Sequence, residues 1–237
     1  MKYFIANWKM NGSRATLEDY CAKLLANTPE SSQAHTILAL PAILIPTAQK
    51  ILKSSKIQLA AQCISDQAEG AYTGQISAQM YAESGCTYAL VGHSERRKIE
   101  SIQSTCQQVT QCLSANIKPI ICIGETLQEK NDAQTSSVLY NQLSPIIDII
   151  NDKNDVWIAY EPRWAIGSGL TPDNNEINII SEWVKEKIDT KFIYGGSVTP
   201  DNIQNLTSCY VDGFLVGGAS LNYKLTNQMV DVCTHYS

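Results

Sequence analysis

Short apolar runs return along this chain about once every thirty residues, and that rhythm restricts the fold more than any single motif. The runs are Tyr3 to Ala6, Thr36 to Leu40, Ile57 to Ala61, Tyr88 to Val91, Pro119 to Ile123, Val156 to Tyr160, Lys191 to Tyr194 and Gly213 to Val216. All are of strand length, and they are apolar at successive positions, as strands covered on both faces must be. Between them, spacings of three and four place one apolar stripe on each intervening helix: Leu17, Cys21, Leu24 and Leu25; Leu139, Leu143, Ile146, Ile147 and Ile150; Ile177, Ile180, Val184 and Ile188; Leu221, Leu225, Met229 and Cys233. Strands alternating with such helices predict a parallel sheet. Eight units in 237 residues fit a closed eight-stranded (β/α)8 barrel, one domain over residues 1–237, better than an open doubly wound sheet. The open sheet also lacks its phosphate turn, because Gly167-Ser168-Gly169 runs into Leu170-Thr171-Pro172, and no glycine precedes a lysine as a P-loop requires.

Charge and cysteine usage exclude several classes of function. The net charge is −5 and the longest basic run is Arg96-Arg97-Lys98, so no nucleic-acid partner is expected. The longest apolar run, Ile37 to Ile45, is too short for a bilayer and contains Pro41. The start of the chain has no signal-peptide pattern, and a cytoplasmic protein with no membrane partner is expected. Eight scattered cysteines form no C-x-x-C, and the three histidines form no H-x-x-x-H. Reduced thiols, no metal and no cofactor are the expectation.

In such a barrel, chemistry belongs to the C-terminal strand ends, and the polar residues there are few. Strand one runs into Asn7-Trp8-Lys9, with Asn7 and Lys9 on one side of an extended backbone. Strand four exits into Gly92-His93-Ser94-Glu95-Arg96-Arg97, strand six at Glu161, strand seven into Gly195-Gly196-Ser197 and strand eight into Gly217-Gly218-Ala219-Ser220. Singly, each has a bland explanation: a rim carboxylate, a snorkelling lysine, a tight turn. Ser94 fails the G-x-S-x-G pattern of a nucleophile, since Arg96 stands where the second glycine belongs. Jointly, a base, an imidazole, a cation and two glycine turns meet at one face. The turns would aim bare N–H groups at a phosphate, and Pro162 to Thr171, with Gly167 and Gly169, reads as a lid.

Six ordered motifs resemble the triosephosphate isomerase family over essentially the whole chain: Asn7-Trp8-Lys9-Met10-Asn11-Gly12, Ala71-Tyr72-Thr73-Gly74, Val91 to Arg97, Tyr160-Glu161-Pro162 with Trp164 to Gly167, Tyr194 to Val198, and Leu215 to Ser220. The resemblance implies a TIM barrel that interconverts dihydroxyacetone phosphate and glyceraldehyde 3-phosphate through an enediolate, in glycolysis and gluconeogenesis. Glu161 is then the base and His93 the neutral electrophile, its imidazolium disfavoured by a helix start at Ser94-Glu95; both roles come from the family, not from spacing. Lys9 and Asn7 stabilise the oxyanion, and Glu95 sits near Lys9. Asn7, Trp8, Lys9, Gly167, Ser197, Gly217 and Gly218 bind the substrate, while Glu95, Ser94 and Thr73 support the site. The family implies a homodimer through the Ala71–Gly74 loop, and a lid that shields the enediolate from water.

The chain departs from the family pattern in places. Gln75 replaces a glutamate expected to pair with the partner's arginine at the position of Arg96, and Cys63 replaces an asparagine near the same surface. The far side of the lid is about two residues short, which leaves the usual lid partner of Tyr194 unidentified, and Arg163 stands where valine is common. Two other readings remain open at this level: a Schiff-base aldolase, which needs a lysine at a strand exit, and a barrel used only for binding.

Overall fold

The computed structural model describes residues 2–33, 35–150 and 155–235. Eight strands, β1 Tyr3–Asn7, β2 Thr36–Leu40, β3 Gln58–Ala61, β4 Cys86–Val91, β5 Lys118–Ile123, β6 Trp157–Tyr160, β7 Lys191–Tyr194 and β8 Gly213–Val216, pair in parallel and in chain order. β1 bonds β2 on one side and β8 on the other, with Ile5 opposite Ile37 and Leu215, so the sheet closes on itself. The helices are α1 Arg14–Asn27, α2 Glu30–Gln33, α3 Ile45–Leu52, α4 Ala78–Glu83, α5 Ile102–Ser114, α6 Leu127–Asn131, α7 Thr135–Ile147, α8 Asn174–Lys187, α9 Ile203–Leu206 and α10 Tyr223–His235. Among the described residues no helix is long and apolar enough to cross a membrane.

Strand alternation sorts the core into two parts. Ile5, Ile37, Ala39, Ala60, Tyr88, Leu90, Cys122, Trp157, Ala159, Ile193 and Leu215 fill the barrel. The intervening residues Phe4, Leu38, Leu40, Ala89, Val91, Ile121, Ile158, Phe192 and Phe214 face the helix stripes, where Leu17, Leu24, Leu139, Leu143, Ile177, Val184 and Met229 are buried. The expected stripes are in place, with Leu25, Ile147, Ile150, Ile180, Ile188, Leu221 and Leu225 as half-buried flanks. Strand β4 starts two residues earlier than its apolar run, where the β3–β4 register shifts between Leu59 and Ala60.

The same alternation positions the site. One step above the last inward side chains stand Asn7, Gln62, Gly92, Gly124, Glu161, Gly195 and Gly217. At this end the barrel's apolar filling therefore gives way to carboxylate, amide and glycine, and glycine opens the volume that those polar groups occupy.

Candidate active site

Asn7 is the last residue of β1 and is 4% exposed. Its Oδ1 accepts the Lys9 N–H at 3.1 Å and the Gln62 Nε2 at 3.4 Å, which leaves Nδ2 as its donor. The extended backbone expected through Lys9 does not form. Lys9 has φ 53°, a left-handed conformation unusual for a side-chain-bearing residue, held by the bond to Asn7. This turn carries Lys9 Nζ to Glu95 Oε1, 2.7 Å away. Trp8 also lines the cavity, but its indole packs edge-on against Tyr20, with centroids 4.9 Å apart.

His93 follows an outward position of β4, and alternation alone would point it at the helices. Gly92, at φ 66°, turns the chain and brings the ring inward, and a side chain there would meet the Arg97 guanidinium at 2.9 Å. The helix expected at Ser94-Glu95 is absent. Residues 94–99 form turns, and α5 begins only at Ile102 behind the Ser101 cap. A single amide replaces the helix dipole: the Glu95 N–H donates to His93 Nδ1 at 3.2 Å, so Nδ1 must hold a lone pair and Nε2 carries the proton.

Glu161, 3% exposed, is the residue after β6. Its Oε1 lies 3.2 Å from His93 Nε2, and its Oε2 faces the Ser94 N–H at 3.5 Å. Burial pulls the His93 pKa down, but the charge and hydrogen bond of Glu161 outweigh it, and the net direction is upward. The donor at Nδ1 opposes protonation, because an imidazolium would set two N–H groups against each other. On that geometry we assign the neutral ring.

The cavity above these groups is about 360 Å³ and is closed on the far side by Gly167, Ser197, Gly217 and Gly218. Among the described residues no protein acceptor takes the N–H of Gly167, Ser197 or Gly218. Three bare donors on one wall suit an oxyanion. The lid lies across the cavity, pinned where the Gly169 N–H donates to Ser197 Oγ at 3.2 Å and that hydroxyl donates to Ala165 O at 2.6 Å.

Thr73 is the one expected residue that stays away. It sits on the exposed loop at Ala71–Gly74 and does not line the cavity of its own chain. Lys191, the lysine nearest an aldolase pattern, opens β7 at the opposite end of the barrel, 5.5 Å from the Tyr3 ring centroid.

Other residues contribute through contacts that the sequence alone does not display. Gly124 and Gly195 carry no side chain because Glu161 fills the space: a Cβ would fall 1.9 Å from Glu161 O at the first and 2.7 Å from Glu161 Cγ at the second. Glu125, 1% exposed, accepts from Tyr160 Oη at 3.1 Å and Trp164 Nε1 at 2.8 Å, and its carbonyl takes the Arg163 N–H at 2.9 Å. It anchors the near hinge of the lid. Arg97 donates to Gly92 O and Cys122 O. The Cys122 thiol is pushed well up, first by burial and then by adjacent Glu161, and so stays protonated beside that carboxylate.

A buried carboxylate against a neutral imidazole, at the mouth of a (β/α)8 barrel with an amide-lined wall opposite, defines an acid–base barrel enzyme for a small anionic substrate. The family model "Triosephosphate isomerase" matches residues 2–233. Triosephosphate isomerases from Methylococcus capsulatus (36% identical, 93% of each chain covered) and Alkaliphilus metalliredigens (37%, 91% of this chain and 92% of the other) are among the similar proteins. That of Nitrosomonas europaea is 34% identical over 97% of this chain and 96% of its own. The chain belongs to the triosephosphate isomerase family.

Proposed function

We propose that Glu161 is the base and His93 the electrophile of the family's reaction, with Lys9 and Asn7 stabilising the oxyanion. As a member of the triosephosphate isomerase family the protein interconverts dihydroxyacetone phosphate and glyceraldehyde 3-phosphate. Glu161 takes a proton from the carbon beside the carbonyl, the electron pair moves into an enediolate, the hydroxyl proton passes from one enediol oxygen to the other, and the first proton returns at the neighbouring carbon. The Nε2–H of His93 polarises the carbonyl oxygen, and the Lys9 ammonium and Asn7 Nδ2 face the developing charge. The amides of Gly167, Ser197 and Gly218, beside Gly217, take the phosphate. The observation that carries this reading is the 3.2 Å approach of His93 Nε2 to Glu161 Oε1, with the Glu95 N–H setting the ring's tautomer.

The working unit in this reading is a cytoplasmic homodimer. Tyr72 is 44% exposed at the loop tip, and Ile99 is 75% exposed beside a groove of about 430 Å³ lined by Cys63, Gln75 and Arg96. A second copy's loop, presenting Thr73, suits that groove.

A coupled isomerase assay tests the roles. Glu161→Gln is expected to abolish turnover and His93→Gln to lower it about 10²- to 10⁴-fold, the range of a positioned acid–base group. Near-normal turnover in Glu161→Gln removes the assignment. Borohydride in the presence of substrate should trap no adduct; a trapped one points to the aldolase reading instead.

A further inference from the structure

Behind the lid, on the opposite side from the substrate cavity, a second depression of about 360 Å³ is lined by Ser94, Glu95, Lys98, Thr126, Arg163 and Trp164. Its charge is unusual for a chain of net charge −5. Arg163 is half-buried, and among the described residues no carboxylate, carbonyl or ring takes its guanidinium. The neighbouring arginines differ: Arg96 pairs with Glu100, and Arg97 donates to Gly92 O at 2.7 Å and Cys122 O at 2.6 Å. Glu95 is the carboxylate in the lining, and it is already engaged, with Oε1 on Lys9 Nζ at 2.7 Å and Oε2 3.8 Å from His93 Nδ1. Two cations face this groove: Arg163, and Lys98, whose charge helps hold the Glu95 pKa down without an ion pair between them. A third charge stands behind them: burial, and Arg163 among the neighbouring charges, hold the Arg97 pKa below its ordinary value.

We propose that this groove is a second anion site, which takes a small phosphate or carboxylate between Arg163 and Lys98. The guanidinium presents a planar fork of donors that fits either oxyanion bidentately, and the ammonium adds a point charge. A groove with cations on its walls also concentrates anions from solution. The site is separate from the substrate's phosphate wall, which is formed by Gly167, Ser197 and Gly218 across the loop. It is nevertheless joined to the reaction. Ile166 lines both depressions, and Arg163 stands two residues after Glu161 with its N–H on Glu125 O at 2.9 Å. An anion here holds the hinge next to the base.

The test keeps the substrate cavity filled with phosphoglycolate, its occupancy checked separately by loss of isomerase turnover. Inorganic phosphate and, in parallel, malonate are then titrated by calorimetry. One further anion per chain is expected, weakened about tenfold or more in Arg163→Val and in Lys98→Ala, as loss of a charge-assisted contact requires. Retained turnover in Lys98→Ala shows that the barrel is intact. Binding of both probes identifies a general oxyanion site, and binding of phosphate alone narrows the ligand to tetrahedral anions. Absence of any binding beyond phosphoglycolate in the native protein, or unchanged binding in both variants, overturns the proposal.

Discussion

A methyl group at Gly195 would lie 2.7 Å from Glu161 Cγ, and the contact falls on the proposed base, not on a mobile surface chain. Gly195→Ala is therefore expected to fold and to bind substrate, but with the carboxylate displaced; a shift near 1 Å costs about 10²-fold in turnover. Steady-state kinetics should show the loss in kcat with KM little changed, and wild-type kcat would mean that Glu161 has room to spare. Gly167 and Gly169 form the contrast. A Cβ at either meets nothing within 4 Å, and their positive φ values of 68° and 78° are what call for glycine. This distinction marks how far the sequence is readable at the residue scale. Asn7, Lys9, His93 and Glu161 stood out because an ionisable or amide group at the end of an apolar run is conspicuous. Gly195 reads from the sequence as a phosphate turn, and Gly124, Glu125 and Cys122 carry no signal of their own, because their roles depend on what a distant segment places opposite them. Nor could the tautomer of His93 be read, since it depends on one amide two residues away.

At the scale of the element, the lid has one firm hinge and one thin one. The near hinge is fixed by Glu125 through Trp164 Nε1, Tyr160 Oη and the Arg163 N–H, and Lys130 Nζ lies 4.2 Å from the Trp164 ring centroid. The far hinge, Leu170-Thr171-Pro172, runs directly into Asp173, whose carboxylate caps α8 at the Glu176 N–H, 2.8 Å away. Tyr194 Oη, on β7, is buried with no hydrogen-bond partner among the described residues. A buried hydroxyl without a partner is destabilising by about 1 kcal/mol or more. Tyr194→Phe should then leave kcat unchanged and keep or raise Tm, by about 2–4 °C for a chain of this size. A fall in kcat or Tm would reveal that the hydroxyl gains a partner during turnover. Arg163→Val alters the near hinge without touching the base, so its effect is expected in lid opening. A changed kcat with an unchanged intrinsic isotope effect on proton transfer is the predicted signature, and an unchanged kcat dismisses it. The strands were legible to within two residues because burial on both faces leaves continuous apolar runs, whereas the lid's contacts are polar and long-range and leave no period to read.

For the whole molecule, the departures at Gln75 and Cys63 bear on how two copies would meet in the proposed dimer. The family's inter-subunit ion pair is not available at Gln75, and the structure shows where the charges go instead: Arg96 pairs with Glu100 four residues on within its own chain, with Nε 2.9 Å from Oε1, while Gln75 Oε1 accepts Ser65 Oγ. Cys63 Sγ, 3.7 Å from the same Glu100 oxygen, has its pKa pushed up to about 11 by burial first and by Glu100 second, so it is a thiol and not a reactive thiolate at neutral pH. In a dimer that met at the groove these residues line, the Arg96 charge would already be neutralised within its own chain, and Ile99, 75% exposed on the groove's lining, would be covered. A dimer built on such a surface draws on apolar burial far more than on attraction between chains. Raising the ionic strength to about 1 M shortens the screening length to about 3 Å, which would dissolve an interface held by charge and leave this one standing. Sedimentation across a dilution series is expected to give a dissociation constant that changes by less than about tenfold between low and high salt. Turnover should fall in step with the monomer fraction, because Thr73 does not reach the cavity of its own chain. A fully active monomer would refute the dimer, whereas a dimer that falls apart in salt would keep the assembly and move its driving force to ion pairs that form only when two chains meet.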